Sequence, residues 1–169
     1  ENLEKEKVLD FNDIKVFSHD FQILGPEVSL KIDGLSMQAR RGIALKKLAT
    51  EFKYTKEQMR FDSLSVDTEQ SELKGNLVFN YNREDLAEFV DKVNIDAQFT
   101  ESTVSLNEVN AFFNEFGQDR LVTFTAGFSG VLNKLQVSDL FLFTDNTGIR
   151  GDFEFDNLFS EQAPFVLRG

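Results

Sequence analysis

Two stretches of the chain, residues 61–79 and 137–155, repeat each other without a gap at an offset of 76 residues. Of the 19 aligned positions, four are identical, including Gly75 and Gly151, and nine more are conservative. Self-similarity at a fixed offset is typical of stacked structural units rather than of a closed catalytic domain. The alternative is two ordinary hairpins that share hairpin chemistry, but the match also preserves the turn length and a cation–glycine pair.

Each repeat predicts a strand, a short polar turn and a second strand, because apolar residues occupy every other position. A shorter motif recurs throughout the chain: an apolar residue, two polar residues, an apolar residue, any residue and an apolar residue. It occupies residues 11–16, 32–37, 61–66, 132–137 and 137–142, and a truncated copy lies at 155–158.

The two polar residues of this motif shift the alternation by one position, as a β-bulge or a sharp corner does. Asp, Asn, Ser and Gly suit such a corner because they tolerate the left-handed conformation or bond to their own backbone. The motif therefore predicts a long strand that bends and keeps the same face inward, and a set of separate tight turns is the alternative. Either arrangement produces a curved antiparallel sheet.

Two stretches interrupt the strand pattern and predict short helices near 83–92 and 106–116. In the second, Ser105 and Glu108 have the spacing of a capping box. The predicted fold is thus all-β: an elongated, curved antiparallel sheet, or half-pipe, with one or two short helices. We expect residues 1–169 to be a single slice of a longer repetitive β-groove.

Composition excludes several classes of function. The net charge of −11, without a basic run, argues against nucleic-acid binding. The chain has no cysteine, which excludes disulfides and thiolate chemistry. His19 is the only histidine, and no phosphate loop or metal-binding motif accompanies it. We therefore expect no enzymatic activity, no metal and no cofactor.

Phenylalanine is unusually frequent, with 19 copies and no tryptophan, and much of it alternates with polar residues. This pattern predicts a large apolar area on one side of a sheet, which would be sealed as a sandwich or left open as a groove sized for acyl chains. Ten or so strands would make such a groove roughly 45–50 Å long. The predicted lining residues are Val28, Leu30, Ile32, Leu48, Phe52, Tyr54, Leu64, Val66, Leu77, Phe79, Phe99, Phe124, Phe128, Leu132, Leu140, Leu142, Phe153 and Phe155.

Most of the chain, residues 28–81 and 121–159, resembles the TamB and AsmA-like proteins of diderm bacteria, with the residue usage of the Bacteroidota. The resemblance rests on the phrases at 42–54 (GIALKKLATEFKY), 71–81 (SELKGNLVFNY) and 128–135 (FSGVLNKL). Residues 11–14 and 102–109 also resemble that family in their residue usage.

The resemblance implies a long half-pipe, the β-taco, with an apolar concave face. It implies a periplasmic section of a protein that is anchored in the inner membrane and reaches an outer-membrane barrel of the BamA/TamA type through regions outside this slice. The implied function is (phospho)lipid transport, linked to outer-membrane assembly, with phospholipid acyl chains as the ligand. The alternative function is a structural or scaffolding β-module of an outer-membrane assembly factor, with a closed apolar core.

Overall fold

The computed structural model describes residues 11–39, 44–110, 119–144, 147–158 and 166–169. These residues form one open, curved, antiparallel sheet of ten strands, and the order of the strands in space is their order in the chain. The predicted all-β class and curved sheet are confirmed. The strands are β1 (Phe11–Leu24), β2 (Glu27–Ala39), β3 (Ala44–Tyr54), β4 (Gln58–Asp67), β5 (Glu72–Asn80), β6 (Asn94–Ser105), β7 (Leu121–Val131), β8 (Lys134–Thr144), β9 (Thr147–Asp156) and β10 (Val166–Arg168).

The two sequence repeats are the hairpins β4–β5 and β8–β9, and their registers match. Leu64 lies opposite Gly75 in the first hairpin, just as Leu140 lies opposite Gly151 in the second. Both hairpins shift register immediately before that leucine, between Phe61 and Leu64 and between Val137 and Leu140. The resemblance between the two stretches therefore includes an irregularity of the backbone as well as the hairpin itself.

That irregularity recurs on every second strand. Strands β2, β4, β6 and β8 each contain one more residue than both neighbouring strands at the register shift. In β4, β6 and β8 the bulge contains a residue with positive φ: Ser63 (50°), Glu101 (47°) and Asp139 (50°). These three residues are 38 positions apart along the chain, which is half of the 76-residue offset. Across β4–β9 the structural unit is thus a pair of strands, of which the first is bulged.

The bulges form at the recurring polar pair predicted from the sequence. The second polar residue of the motif has positive φ at Asp13, Ser63, Asp139 and Asn157. The copy at 132–137 differs, because it forms the turn between β7 and β8. The copy at 32–37 also shifts the register, although Gly34 does not have positive φ. The prediction of a bend that keeps one face inward is confirmed for the strand copies.

A side chain on the following strand satisfies the backbone amide of each of the three periodic bulges. The N–H of Ser63 donates to Oδ1 of Asn76 at 2.9 Å, and the N–H of Asp139 donates to Oδ1 of Asp152 at 2.8 Å. In β6 the N–H of Glu101 donates to Oγ1 of Thr125 at 3.2 Å. Asn76 and Asp152 are equivalent positions of the two repeats, so the repeat encodes both the bulge and its hydrogen-bond acceptor.

The predicted helical segment near 83–92 is confirmed as a 3₁₀ helix at Arg83–Glu88 followed by α1 at Phe89–Lys92. The second helix, α2, covers Leu106–Val109, and the remainder of the predicted helix, 111–116, lies outside the described residues. No helix in the described ranges has the length and apolar character needed to cross a membrane.

The capping box predicted for α2 is wrong. The hydroxyl of Ser105 makes no cap bond and donates instead to Oε1 of Gln70 at 2.7 Å. The Glu108 carboxylate accepts a hydrogen bond from Oγ1 of Thr68 at 2.6 Å and others from Ser71 and the N–H of Gln70. The turn between β4 and β5 supplies donors that the local sequence spacing could not reveal.

Candidate functional site

One face of the sheet is built from four apolar rows that run across the strands. Residues that are directly opposite in an antiparallel sheet share a face, so each row can be read from the register. The first row crosses all ten strands: Ile23, Val28, Tyr54, Met59, Phe79, Ile95, Gly130, Leu135, Phe155 and Leu167. The second row crosses β2–β9: Leu30, Phe52, Phe61, Leu77, Ala97, Phe128, Val137 and Phe153.

The third row follows the line of bulges, and the fourth lies beyond it. In the third row are Ile32, Thr50, Leu64, Gly75, Phe99, Ala126, Leu140 and Gly151. In the fourth row are Val16, Leu35, Leu48, Val66, Leu73, Ser102, Phe124, Leu142 and Ile149. No row position carries a charged residue. We call this four-row surface the apolar trough.

The structure places 17 of the 18 predicted lining residues in these rows. The exception is Leu132, which follows the end of β7 and lies in the turn before β8. The prediction also missed row members such as Met59, Leu135 and Val137. Leu135 and Val137 are the last two apolar positions of one motif copy, so extending the motif to the lining set would have found them.

The apolar trough is the inner side of the curved sheet. The predicted lining residues are half-buried or, like Leu64 at 6% exposure, buried. On the opposite face, residues such as Asp96, Gln98 and Gln136 are exposed. Side chains crowd together on the inner side of a curved sheet and separate on the outer side, so the difference in exposure identifies the inner face.

The outer face is a solvated array of ion pairs across β2–β4. Nζ of Lys31 lies 2.9 Å from a Glu51 carboxylate oxygen, and Nε of Arg60 lies 2.8 Å from one of Asp62. The hydrogen bond and charge of Glu51 raise the pKa of Lys31. Exposed pairs of this kind contribute little to stability. They keep the outer face solvated, whereas the inner face is apolar.

We call the third row the floor of the trough. Along it, large residues alternate with small ones. The bulged strands contribute Leu64, Phe99 and Leu140, whereas the regular strands between and after them contribute Gly75 and Ala126, and then Gly151. A bulge increases the local bend of its strand, so a line of bulges creates a crease along the sheet. Gly75 allows the backbone of β5 to approach that of β6 closely along this crease.

The phenylalanine rings form two groups with different orientations. In the first group, rings contact one another along the length of the trough: Phe52 with Phe61 at 5.0 Å between centroids, and Phe61 with Phe79 at 6.1 Å. In the second group, Phe99, Phe124 and Phe128 all contact one another, at 5.8–6.4 Å. These three residues belong to the third, fourth and second rows, so the second group lies across the trough.

One side of the trough is covered by the helical segment between β5 and β6. The ring of Phe89 packs on Phe79 at 5.3 Å. The segment is tied to the turn between β7 and β8, since Nδ2 of Asn133 donates to Asp91 at 2.7 Å and its N–H donates to the carbonyl of Val90 at 3.2 Å. In the described residues no second sheet faces the remaining rows.

The hydroxyl groups of Thr50 and Ser102, which lie in the rows of the trough, form hydrogen bonds to the backbone along the crease and are not free to bind a ligand. Oγ1 of Thr50 donates to the carbonyl of Asp62 at 2.8 Å, and Oγ of Ser102 accepts from the N–H of Lys74 at 3.0 Å. Every buried side-chain polar atom in the described part of the chain has a partner. No cluster of His, Asp and Glu in the same part is arranged to hold a metal ion. The trough therefore offers apolar contact without polar groups free to orient a substrate.

Comparison with known proteins does not assign the chain to a family: no family model, curated protein or solved structure matches it. The geometry of the trough consequently carries the functional argument.

Proposed function

We propose that the chain is a section of an apolar groove that carries the acyl chains of (phospho)lipids between the inner and outer membranes of a diderm bacterium. The observation that supports this proposal most is the first row, which crosses ten consecutive strands on one face with nine apolar or aromatic side chains and Gly130. Nine strand spacings of about 4.8 Å make the row roughly 43 Å long. That length exceeds one lipid and favours a conduit over a pocket for a single ligand.

The chemistry of the face also supports an acyl chain as the ligand. The rows offer hydrocarbon and aromatic surface without charge, and transfer of apolar surface out of water is favourable by about 25 cal/mol per Å². An exposed apolar surface this extensive requires an apolar occupant or covering. A lipid that slides along it needs no polar recognition at each step.

In this proposal the section is periplasmic and belongs to a TamB-like protein anchored in the inner membrane. Its partner would be an outer-membrane barrel of the BamA/TamA type, contacted through other regions. The resemblance of residues 28–81 and 121–159 to that family supports this placement, and the open meander with one apolar face is the architecture that the resemblance implied.

The second candidate is a scaffolding β-module whose apolar face is sealed by another part of the same protein or by a partner. The burial of Ile95 (8%), Ala97 (4%) and Leu135 (8%) favours it locally, because these positions are already inaccessible. The two candidates differ in whether lipid reaches the face.

Photo-crosslinking from neighbouring residues of β5 tests the proposal. Leu77 lies in the second row, whereas Val78 lies on the outer face opposite Arg60 and Asp96, and both are half-buried. A benzophenone amino acid at position 77 should capture phospholipid in living cells, and the same group at position 78 should not. Capture of protein alone at position 77 would favour the scaffold, and equal lipid capture at both positions would contradict a face-specific groove.

A further inference from the structure

We propose that Phe99, Phe124 and Phe128 form a barrier that divides the apolar trough into two acyl-binding stretches. This inference rests on the proposed function and concerns its regulation. We call these three residues the ring barrier. Their three centroid distances are 6.2 Å (Phe99–Phe124), 5.8 Å (Phe99–Phe128) and 6.4 Å (Phe124–Phe128).

The orientation of the ring barrier carries the argument. Its members occupy three adjacent rows on β6 and β7, so their contacts run across the trough, parallel to the strands. Phe52, Phe61 and Phe79 instead lie on three successive strands in the second and first rows, so their contacts run lengthwise. An acyl chain can lie beside a lengthwise line of rings, but it must displace rings that cross its path.

Burial of the floor beneath the ring barrier supports the same conclusion. Ala126 lies in the third row between these rings and has 0% exposure, and Ala97, which is opposite Phe128, has 4%. The two glycines of the third row, Gly75 and Gly151, lie away from the ring barrier and are half-buried. The three edge-to-face contacts add attraction beyond area burial, of the order measured for aromatic pairs.

The barrier separates two stretches that differ in composition. On the β2–β5 side, rows three and four are entirely free of rings, and they contain Ile32, Leu35, Leu48, Leu64, Val66 and Leu73. On the β8–β9 side the trough contains Val137, Leu140, Leu142, Ile149 and Phe153. We infer that an acyl chain rests against each stretch separately and passes between them only when the rings rotate.

Site-specific quenching tests this inference, because the chain contains no cysteine and each introduced cysteine is unique. A polarity-sensitive fluorophore is attached at Leu48→Cys on one side of the ring barrier, at Leu142→Cys on the other side, and at Ser129→Cys on the outer face as the control. Stearate carrying a nitroxide quencher on its acyl chain is the probe. Quenching is expected at positions 48 and 142 and not at 129.

The barrier is tested by adding a charge on one side. With the ring barrier intact, Val66→Asp should abolish quenching at position 48. Quenching at position 142 by increasing amounts of the labelled stearate should not change. In the Phe99→Ala/Phe124→Ala background, Val66→Asp should weaken quenching at both positions. Val16→Asp, at a fourth-row position that is 51% exposed, replaces Val66→Asp if the latter does not fold.

Equal loss at both positions with the barrier intact would show a continuous groove and overturn the inference while leaving the proposed function standing. Absence of quenching at both 48 and 142, or equal quenching at 129, would contradict the proposed function itself. A fluorescence shift that depends on protein concentration, without quenching, would identify a second copy as the occupant and overturn both.

Discussion

Gly75 lies directly against the backbone of the neighbouring strand at Gln98. A Cβ atom added to Gly75 would overlap the carbonyl oxygen of Gln98 and would lie 2.9 Å from both the Gln98 carbonyl carbon and Cα of Phe99. No side-chain rotation relieves this overlap, because the obstacle is backbone. The glycine is therefore required by the close approach of two strands at the crease.

We expect Gly75→Ala to lower the free energy of unfolding by about 1–3 kcal/mol, as overpacking does. Gly151 is the equivalent position of the other repeat, yet its added Cβ would meet only the Phe153 ring at 3.6 Å, an ordinary contact. Gly151→Ala should change stability by less than about 0.5 kcal/mol. Urea denaturation of both variants measures the difference in the free energy of unfolding. Equal losses in the two variants would show that the backbones do not approach more closely at Gly75 than at Gly151.

The left-handed bulge residue Ser63 offers a test of the backbone at the crease. Its φ of 50° is costly for residues with a Cβ and most costly for β-branched ones. Ser63→Gly should keep or raise stability, and Ser63→Val should lower it by about 1–2 kcal/mol. Thermal unfolding gives the ranking, and a Val variant as stable as the Gly variant would contradict a left-handed bulge.

Tyr81 predicts how stability responds to alkaline pH. The side chain is 6% exposed, its hydroxyl donates to the Thr55 carbonyl at 3.1 Å, and burial raises its pKa above the ordinary value of 10.0. Since only the unfolded chain loses the proton near that value, stability should be full below pH 10.0 and fall as the pH rises through the folded pKa.

Replacing Tyr81 by Phe should remove that contribution to the alkaline loss. At neutral pH the variant should be less stable by about 1 kcal/mol, because the hydrogen bond to Thr55 is missing. Denaturant midpoints at neutral and alkaline pH compare the two chains. If stability falls with rising alkaline pH as steeply in Tyr81→Phe as in the unaltered chain, the fall is caused by other titratable groups.

The outer edge of β1 should promote association of the isolated chain. Phe17 is 68% exposed, Ile23 is 60% exposed, and among the described strands β1 pairs only with β2. A long apolar edge with free backbone groups is a template for another strand. Lysine at Phe17 and Ile23 should shift the chain toward monomer in light scattering. Lysine at Phe143, which is 47% exposed on an internal strand, is the control and should not.

Phe128 tests the proposed conduit most directly. An aspartate there places a charge in the path of an acyl chain, whereas Ser129→Asp adds the same charge to the outer face of the same strand. Phe128→Asp should fold but fail to transfer lipid between vesicles, whereas Ser129→Asp should fold and still transfer lipid. Unfolding of Phe128→Asp would favour the sealed scaffold, since a closed core tolerates no unpaired charge.

Alternation of apolar and polar residues was sufficient to predict the curved sheet, the bulges and most of the trough, because one-sided burial leaves a period of two in the chain. What the pattern could not predict depends on contacts between strands. The ring barrier arises from the register of β6 against β7, which places Phe99 between Phe124 and Phe128. The bonding of Glu108 to the turn at Thr68 likewise depends on elements 40 residues apart.

The confinement of the crease bulges to alternate strands has a consequence for how a groove of this type can change in length. Removing or adding a single strand would set two bulged or two regular strands side by side and break the crease. Removing or adding a whole strand pair preserves it, as the 38-residue spacing of Ser63, Glu101 and Asp139 illustrates. The length of such a groove therefore changes in steps of about 9–10 Å, which is two strand spacings. In the proposed function, the distance that such a groove covers would therefore change by whole strand pairs and not by single strands.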